Sequence, residues 1–422
     1  MQSSSIIFFV VLCIMIVTSL VKPLFSKDKS AIWSPITIIS LTFLYYVVKP
    51  SFGNLHLYGA NVASHQYLFY FMAVLFYGCI LIAFHKTRSG SFPKWNGYFD
   101  ANNVQKAASI LFLIAMACYV PFRGFRTTIF AEDAAVMTAR TGLVSYFIDL
   151  ISLLVSACCL AYIGIRNKKG LGIKKNIILL IIFYFTIVLY IVAGFRFRLV
   201  LLLMALATTY HLYPVPRKIN FKLVVPIGIA AYLLFAIMDT ARSYGRGIDM
   251  EVAESITLSQ ASKGAGESDD VFCYSIAVID RVSTTGDYVY FEPIITAALM
   301  PIPRVFFPSK PDGSYMTDIE TKIIGDSYGG AAMFVFAEAY YAFGVLGVIL
   351  YGLFIGWFCK IIWINYQNNR DSIGALLLLA LMNGFVYQWI ARGYMASAFN
   401  EFIYFVILPF WIIALFNLKK VN

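Results

Sequence analysis

The chain consists of long apolar blocks joined by short polar segments, and this pattern constrains its fold more than any other feature. The 422 residues are 60% hydrophobic and 13% charged, which is typical of membrane proteins and not of soluble globular domains. Because a spanning helix needs about 20 mostly apolar residues, the sequence predicts an all-α polytopic membrane protein with about eleven transmembrane helices. They are centred near residues 5–21, 31–48, 67–84, 106–121, 143–165, 176–193, 197–213, 222–238, 331–359, 373–391 and 398–418.

One long polar loop divides the predicted helices into two groups. Residues 1–238 contain helices 1–8, residues 239–330 form the loop, and residues 331–422 contain helices 9–11. The loop holds 14 of the 22 acidic residues. This concentration of charge indicates that the chemistry lies in or beside the loop.

The basic residues predict the orientation of the chain. Nineteen of the 33 Lys and Arg residues follow helices 1, 3, 5, 7 and 9 or lie at the C terminus, and seven follow helices 2, 4, 6 and 10. Since cytoplasmic segments are enriched in Lys and Arg, we expect the N terminus and the long loop outside the cytoplasm and the C terminus inside. The net charge of +11 reflects this bias and attraction to anionic lipid, so we expect no nucleic-acid partner.

The cysteines and histidines predict neither a disulfide framework nor a metal site. Six of the seven cysteines lie inside apolar blocks, and the four histidines lack ligand spacing. The sequence has no Gly-rich phosphate loop, and we expect no cofactor. Acidic pairs near Asp269 and Asp318 resemble ligands of a divalent ion, but in polar sequence we interpret them as solvated charge or sugar contacts.

Two pairs of arginines lie at predicted outer helix ends. Arg196 and Arg198 begin helix 7, where a helix N terminus and bidentate guanidinium groups would bind an anion such as phosphate. The alternative is a pair of interface arginines whose stems lie along apolar surface. Arg242 and Arg246 follow helix 8 and would share a helix face if that helix continues. Their alternative is an interfacial ion pair with Asp239.

A proline-rich segment near residues 288–311 is expected to be re-entrant or interfacial. Its apolar core is too short to span, and its four prolines between 301 and 311 forbid a regular helix there. Arg304 and Lys310 would then be held rigidly at headgroup depth, unless the segment is an ordinary amphipathic loop. Nearby aromatic side chains are candidates for stacking on sugars or for anchoring at the interface: Tyr288, Tyr290, Tyr315, Tyr328 and Tyr340.

Glu338 lies about two turns into predicted helix 9, where an ionisable group is costly unless it faces a cavity or a partner. It could accept a proton from a sugar hydroxyl as a general base. It could equally be a structural or substrate-orienting partner of Arg196 or Arg242. The sequence leaves both roles open.

Three segments resemble the Wzy-type O-antigen polymerases, also called oligosaccharide repeat-unit polymerases. They are residues 193–196 (AGFR), residues 301–311 (PIPRVFFPSKP) and residues 336–344 (FAEAYYAFG). The number of helices and the large loop late in the chain extend the resemblance over most of the sequence.

The resemblance implies a multi-pass glycosyltransferase of the bacterial inner membrane with a GT-C-like helix bundle. It implies transfer of a growing glycan from undecaprenyl diphosphate to the non-reducing end of a lipid-linked repeat unit at the periplasmic face, without metal or nucleotide sugar. It also implies a chain-length-determining co-polymerase as a partner.

In this reaction, fixed cations would stabilise the negative charge that develops on the departing diphosphate. We assign that role to Arg196, Arg242 and Arg304, with Arg198, Arg246 and Lys310 in support, and Glu338 would orient or deprotonate the acceptor hydroxyl. Three alternatives remain. An O-antigen ligase would use the same donor but deliver the glycan to lipid A core. A flippase or other transporter would need more charge inside its spans than Asp149, Glu338 and Glu401 supply, and a non-catalytic membrane scaffold would need none of these residues.

Overall fold

A computed structural model describes most of the chain: residues 3–52, 62–88, 101–123, 128–130, 143–166, 173–192, 196–218, 267–311, 313–325 and 332–416, with Asn220 and scattered positions between 222 and 254. The described residues are helical apart from turns and one antiparallel pair of two-residue strands. These strands are β1 (Arg242–Ser243) and β2 (Gly247–Ile248). The predicted all-α fold class is thereby confirmed for the described residues, apart from this strand pair.

Fifteen α-helices are defined within the described residues. They are α1 (Ser3–Leu24), α2 (Pro35–Phe43), α3 (Val62–Lys86), α4 (Ala101–Arg123), α5 (Leu143–Asp149), α6 (Leu153–Arg166), α7 (Ile173–Val192), α8 (Arg196–Leu212), α9 (Glu267–Thr285), α10 (Glu292–Leu299), α11 (Ser314–Ile324), α12 (Val335–Asn368), α13 (Ile373–Ala391), α14 (Met395–Phe402) and α15 (Leu408–Leu415). A 3-10 turn (Leu150–Ser152) joins α5 to α6, and a π turn (Ile403–Ile407) joins α14 to α15.

Eight of the described helical stretches are long and apolar enough to cross a membrane, and two shorter helices, Ile177–Val192 and Phe197–Leu212, are also apolar. These ten coincide with ten of the eleven predicted helices. The remaining one, near 222–238, lies largely outside the described residues. The count of eleven and the GT-C arrangement therefore stay predictions.

The chain forms two compact units. The first comprises Met1–Pro93, Glu267–Gln367 and Val386–Asn400, and the second comprises Lys94–Gly266, Asn368–Phe385 and Glu401–Asn422. Part of the predicted loop, from Glu267 onward, therefore belongs to the same unit as α1, α2, α3 and α12.

Helix α9 is a core element of the first unit. Three of its four acidic residues lie in the first turn, where the helix dipole favours negative charge, and the nine residues 271–279 are all buried. Phe272 contacts the ring of Phe69 on α3 at 4.9 Å between centroids, and the Ser275 hydroxyl accepts a hydrogen bond of 2.8 Å from the Phe334 amide. The part of the predicted loop that follows Asp270 is therefore packed in the core of this unit, whereas Asp270 itself is exposed.

Aromatic packing fixes the beginning of α12 in the first unit. The rings of Phe334 and Phe336 stack at 5.1 Å, and Phe336 also contacts Phe69 at 5.3 Å and Phe76 at 5.7 Å on α3. Aromatic pairs of this kind contribute about 0.5–1.5 kcal/mol each beyond their burial. They hold rigidly the turn that carries Glu338.

Helices α12 and α3 approach closely at two glycines, Gly352 and Gly356, which are four residues apart. A Cβ at Gly352 would lie 2.8 Å from the Phe76 carbonyl oxygen, and one at Gly356 would collide with the Ile80 carbonyl and lie 2.8 Å from its Cα. Small residues at this spacing let helix backbones approach within a membrane.

We expect Gly356→Ala to destabilise the protein by about 1–3 kcal/mol, because the added methyl overpacks a rigid backbone contact. Gly78→Ala is the matched control, since the nearest atom there is the flexible Met15 Cε at 3.6 Å and alanine favours a helix by up to about 1 kcal/mol. Thermal unfolding of both purified variants checks the prediction. Equal unfolding temperatures would show that the α12–α3 contact is not tight.

Candidate functional site

A break in α12 shapes the candidate site in the first unit. Phe343 and Gly344 leave the helical conformation, with Gly344 at φ +60°, which glycine adopts without steric cost. The break frees two carbonyls for outside donors. Val289 N donates to Tyr341 O at 3.1 Å, and Tyr290 N donates to Ala342 O at 3.0 Å. The loop segment before α10 is therefore fixed on the first two turns of α12.

Glu338 lies in the first turn of α12, closer to the helix start than the two turns predicted, and is fully buried. Its carboxylate accepts a hydrogen bond of 2.6 Å from the Tyr315 hydroxyl on α11. Both its oxygens also lie 2.9 Å from Met395 N, the first amide of α14. First-turn amides have no partner within their own helix, and the helix dipole favours an anion there. Glu338 thus joins α11, α12 and α14.

Tyr315 has a different role from the sugar stacking considered from the sequence. Its side chain is 1% exposed, so neither ring face is available to a substrate. Burial, together with the negative charge of Glu338, raises the pKa of the Tyr315 hydroxyl, which keeps it a hydrogen-bond donor. Sequence reasoning missed this pair because 23 residues and a helix boundary separate its members.

Lys310 is also engaged by the protein. The side chain is buried, and its ammonium donates to the carbonyls of Ile302, Met300 and Leu299 at 2.6, 3.0 and 3.4 Å. A lysine has three N–H donors, and a cation is favoured at the C-terminal end of a helix, here α10. The structure therefore gives Lys310 a structural role in place of the predicted support of a diphosphate.

Arg304 remains exposed on the irregular segment that follows α10. Its Nη1 donates to the carbonyls of Pro308 and Lys310, each at 3.3 Å. A guanidinium has five N–H donors in a planar fork, and these two bonds use one nitrogen. The irregular backbone predicted from the prolines is confirmed between residues 300 and 311, and it presents Arg304 at the surface.

Three of the predicted substrate-binding tyrosines are brought together at the break in α12. Ring centroids of Tyr288 lie 6.2 Å from Tyr290 and 6.3 Å from Tyr340. Tyr340 is buried, whereas Tyr290 is 56% exposed and has φ +48°. A positive φ is costly for a tyrosine and is often found where function requires it. Tyr290 is thus accessible to a sugar, while Tyr340 lies beneath Tyr288.

The second unit contains a buried ion-pair cluster around Arg198. The Arg198 Nη2 lies 3.2 Å from Asp149 Oδ1 and 4.0 Å from Glu401 Oε1, and the arginine side chain is 6% exposed. Asp149 ends α5, Arg198 lies in the first turn of α8, and Glu401 precedes the π turn. The arginine predicted to support diphosphate binding is therefore paired with two carboxylates.

For the other predicted arginines of the second unit, the structure describes only the backbone, or the residue lies outside the described part of the chain altogether. Arg196 begins α8, as predicted, and Arg242 lies in β1, so the continued helix that a face shared with Arg246 required is not present at Arg242. The Arg196 and Arg242 side chains, Arg246, Asp239 and Tyr328 lie outside the described residues. Within the described part of the chain, no group of three or more His, Cys, Asp and Glu residues could hold a metal ion.

The spanning helices and the loop helices docked among them define a polytopic membrane protein with a candidate site beside the start of α12. The family model for the O-antigen polysaccharide polymerase Wzy matches residues 1–421. The chain therefore belongs to this family, and the resemblance drawn from its three segments is confirmed. No curated protein and no solved structure matches the chain.

Proposed function

We propose that this protein extends a surface polysaccharide by transferring a growing glycan from undecaprenyl diphosphate to the non-reducing end of a new lipid-linked repeat unit. The observation that carries the proposal is the family match over residues 1–421, which makes the chain an O-antigen polymerase in general. The proposal adds the donor, a site at the outer face of the bacterial inner membrane, and a chain-length-determining co-polymerase as partner. The loop and the N terminus would be periplasmic and the C terminus cytoplasmic.

The proposed reaction breaks the bond between the anomeric carbon and the diphosphate oxygen while the acceptor hydroxyl oxygen bonds to that carbon. The acceptor proton leaves to a base or to water, and the diphosphate departs with the bonding electron pair. Fixed cations accelerate this step if they bind the developing charge more strongly than the ground state. Arg304 supports this role because it is exposed on a rigid segment, and Arg196, Arg242 and Arg246 remain further candidates.

The tyrosines at the α12 break would bind sugar, and Glu338 would hold them in place. Two observations support the first role. Tyr290 is exposed, and the Tyr288 ring packs against the break in α12 at Gly344. Glu338 supports the second role because its carboxylate already accepts hydrogen bonds from two other helices. We therefore propose it as a positioning residue, with the general-base role left to direct test.

Deletion of the gene tests the function directly. Without a polymerase, lipopolysaccharide should carry core with a single repeat unit, and the long-chain ladder should disappear from a gel. A ligase or a flippase is the alternative, and its loss would leave core without any repeat unit. That second pattern would contradict the proposal.

We expect Arg304→Lys to lower polymerisation by about 10²–10³ in rate, the usual effect of losing one well-placed donor to a developing charge. Lysine keeps the charge and can still donate to the Pro308 carbonyl, but it lacks the planar fork that binds two phosphate oxygens. The readout is the polysaccharide ladder at matched protein levels in the membrane. A full-length ladder would exclude Arg304 as a diphosphate ligand.

A further inference from the structure

An exposed apolar surface lies on the loop between Tyr290 and Phe307, and the Phe291 ring at its start contacts Phe343 of α12 at 5.0 Å between centroids. Six large side chains there are exposed, with Phe306 at 77%, Val305 at 67% and Phe291 at 63%. We call this surface the apolar ridge and define it by the residues Phe291, Ile294, Ile295, Ile302, Val305 and Phe306. Several exposed large apolar side chains within sixteen residues are typical of a segment that binds a partner or a membrane.

The apolar ridge has a rigid base. The buried ammonium of Lys310 bonds three carbonyls at the end of α10, and Arg304 bonds the carbonyls of Pro308 and Lys310. At the other end, Tyr290 N donates to Ala342 O on α12. These hydrogen bonds fix the backbone that carries the apolar side chains at both ends of the ridge.

The composition of the ridge indicates what covers it. Between Phe291 and Phe306 the charged residues are Glu292, which is half-buried at the start of α10, and Arg304, which is exposed. Aliphatic and aromatic side chains beside an exposed cation match the boundary between acyl chains and anionic or zwitterionic headgroups. A sugar would instead require hydrogen-bonding groups, which the six ridge side chains lack.

The length of the ridge and its attachment to α12 also favour a position at the membrane surface. Helix α10 has eight residues and is about 12 Å long, which is less than half of the roughly 30 Å apolar thickness of a bilayer. Tyr290, two residues before α10, donates a hydrogen bond to Ala342 of α12, and α12 is one of the helices long enough to span a membrane. The ridge is thus too short to cross a membrane and is attached to an element that does cross it.

We propose that the apolar ridge inserts into the interfacial layer of the bilayer and anchors the loop to the lipid surface. This inference does not depend on the proposed polymerase activity. It does have a consequence for that activity, because insertion of Val305 and Phe306 places the neighbouring Arg304 guanidinium at the depth of lipid phosphates. A lipid-linked diphosphate would arrive at the same depth.

Cysteine accessibility in a bilayer tests the insertion. The native cysteines that set the background are all buried or partly buried, so wild-type protein in nanodiscs should label weakly with a membrane-impermeant maleimide. Phe306→Cys should not label above this background in nanodiscs and should label fully after denaturation in SDS. Ser283→Cys, at an exposed position on α9 outside the ridge, is the matched control and should label under both conditions.

Each alternative occupant has its own outcome. Labelling of Phe306→Cys at the rate of Ser283→Cys in nanodiscs would place the ridge in water and overturn the proposal. Cross-linking of two copies through residue 306 by a bifunctional maleimide would assign the ridge to a second copy instead. Protection in cells but not in nanodiscs would assign it to another protein. If Phe306→Cys does not accumulate, Val305→Cys provides the same test.

Discussion

Glu338→Ala is expected to remove both the folded protein and its polymer from the membrane. The change deletes the acceptor of the Tyr315 hydroxyl and of Met395 N. Each buried donor left without a partner costs about 1–3 kcal/mol, and native stability is only about 5–15 kcal/mol. Three helices would lose their common contact. Immunoblots of membrane fractions and a gel of surface polysaccharide measure the two effects.

Glu338→Gln separates positioning from base catalysis. In the place of Oε1, the glutamine oxygen can accept from both the Tyr315 hydroxyl and Met395 N, as Oε1 does in the native protein. The amide NH2 then replaces Oε2, so the variant loses one acceptor contact with Met395 N and the charge at the α14 N terminus, the charge being worth about 0.3–1 kcal/mol. As a positioning residue, Glu338 should therefore tolerate glutamine with a polymer ladder present. Normal protein levels without any polymer would instead identify Glu338 as the base.

Tyr315→Phe is the control for the same network. It removes one hydrogen bond to a charged group, about 1.5–3 kcal/mol, and keeps the Met395–Glu338 contact and the ring packing. We expect an intermediate loss of stability with polymer still made. A loss of polymer greater than the loss of protein would show that the docking of α11 itself matters to the reaction.

Arg198→Met is expected to destabilise the second unit by about 3–5 kcal/mol, because removal of one partner leaves buried charge uncompensated. Asp149 and Glu401 would face each other's negative charge without the guanidinium between them. The thermal unfolding midpoint and the amount of protein in the membrane should both fall. Arg88→Met, at an exposed position, is the control and should change stability by less than about 0.5 kcal/mol.

Neutral partners should rescue the arginine variant. Adding Asp149→Asn and Glu401→Gln to Arg198→Met removes the unpaired charges, and apolar or neutral replacements of a complete buried ion group are often tolerated. Recovery of protein and of polymer would show that Arg198 is structural. Recovery of the protein level without recovery of polymer would show that Arg198 also acts on the substrate.

The membrane helices could be predicted because apolar composition over about 20 residues is a local property of the sequence. The irregular segment after α10 could also be predicted, since proline restricts the backbone wherever it occurs. Contacts between residues that are distant in the sequence could not be predicted. Glu338 meets Met395 across 57 residues, and Arg198 meets Asp149 across 49. Nothing in the spacing of these residues marks them as partners.

Lys310 shows a further limit of sequence reasoning. A lysine between prolines and beside an apolar segment is a plausible phosphate ligand by its sequence context. In the structure, however, its ammonium is buried against the irregular segment and donates to carbonyls 8–11 residues earlier. Which way a long side chain turns depends on the backbone built around it. Arg304, six residues before, turned outward.

The burial of α9 bears on how specificity can be exchanged between relatives of this protein. Residues 271–279 are surrounded on all sides, with Phe272 against Phe69 of α3 and Ser275 bonded to the chain at Phe334. A chimera that grafts residues 239–330 alone would set this helix against foreign neighbours. Transplantable cassettes must instead carry α3 and the chain around Phe334 together with the loop, so the segment to be exchanged is larger than the loop itself.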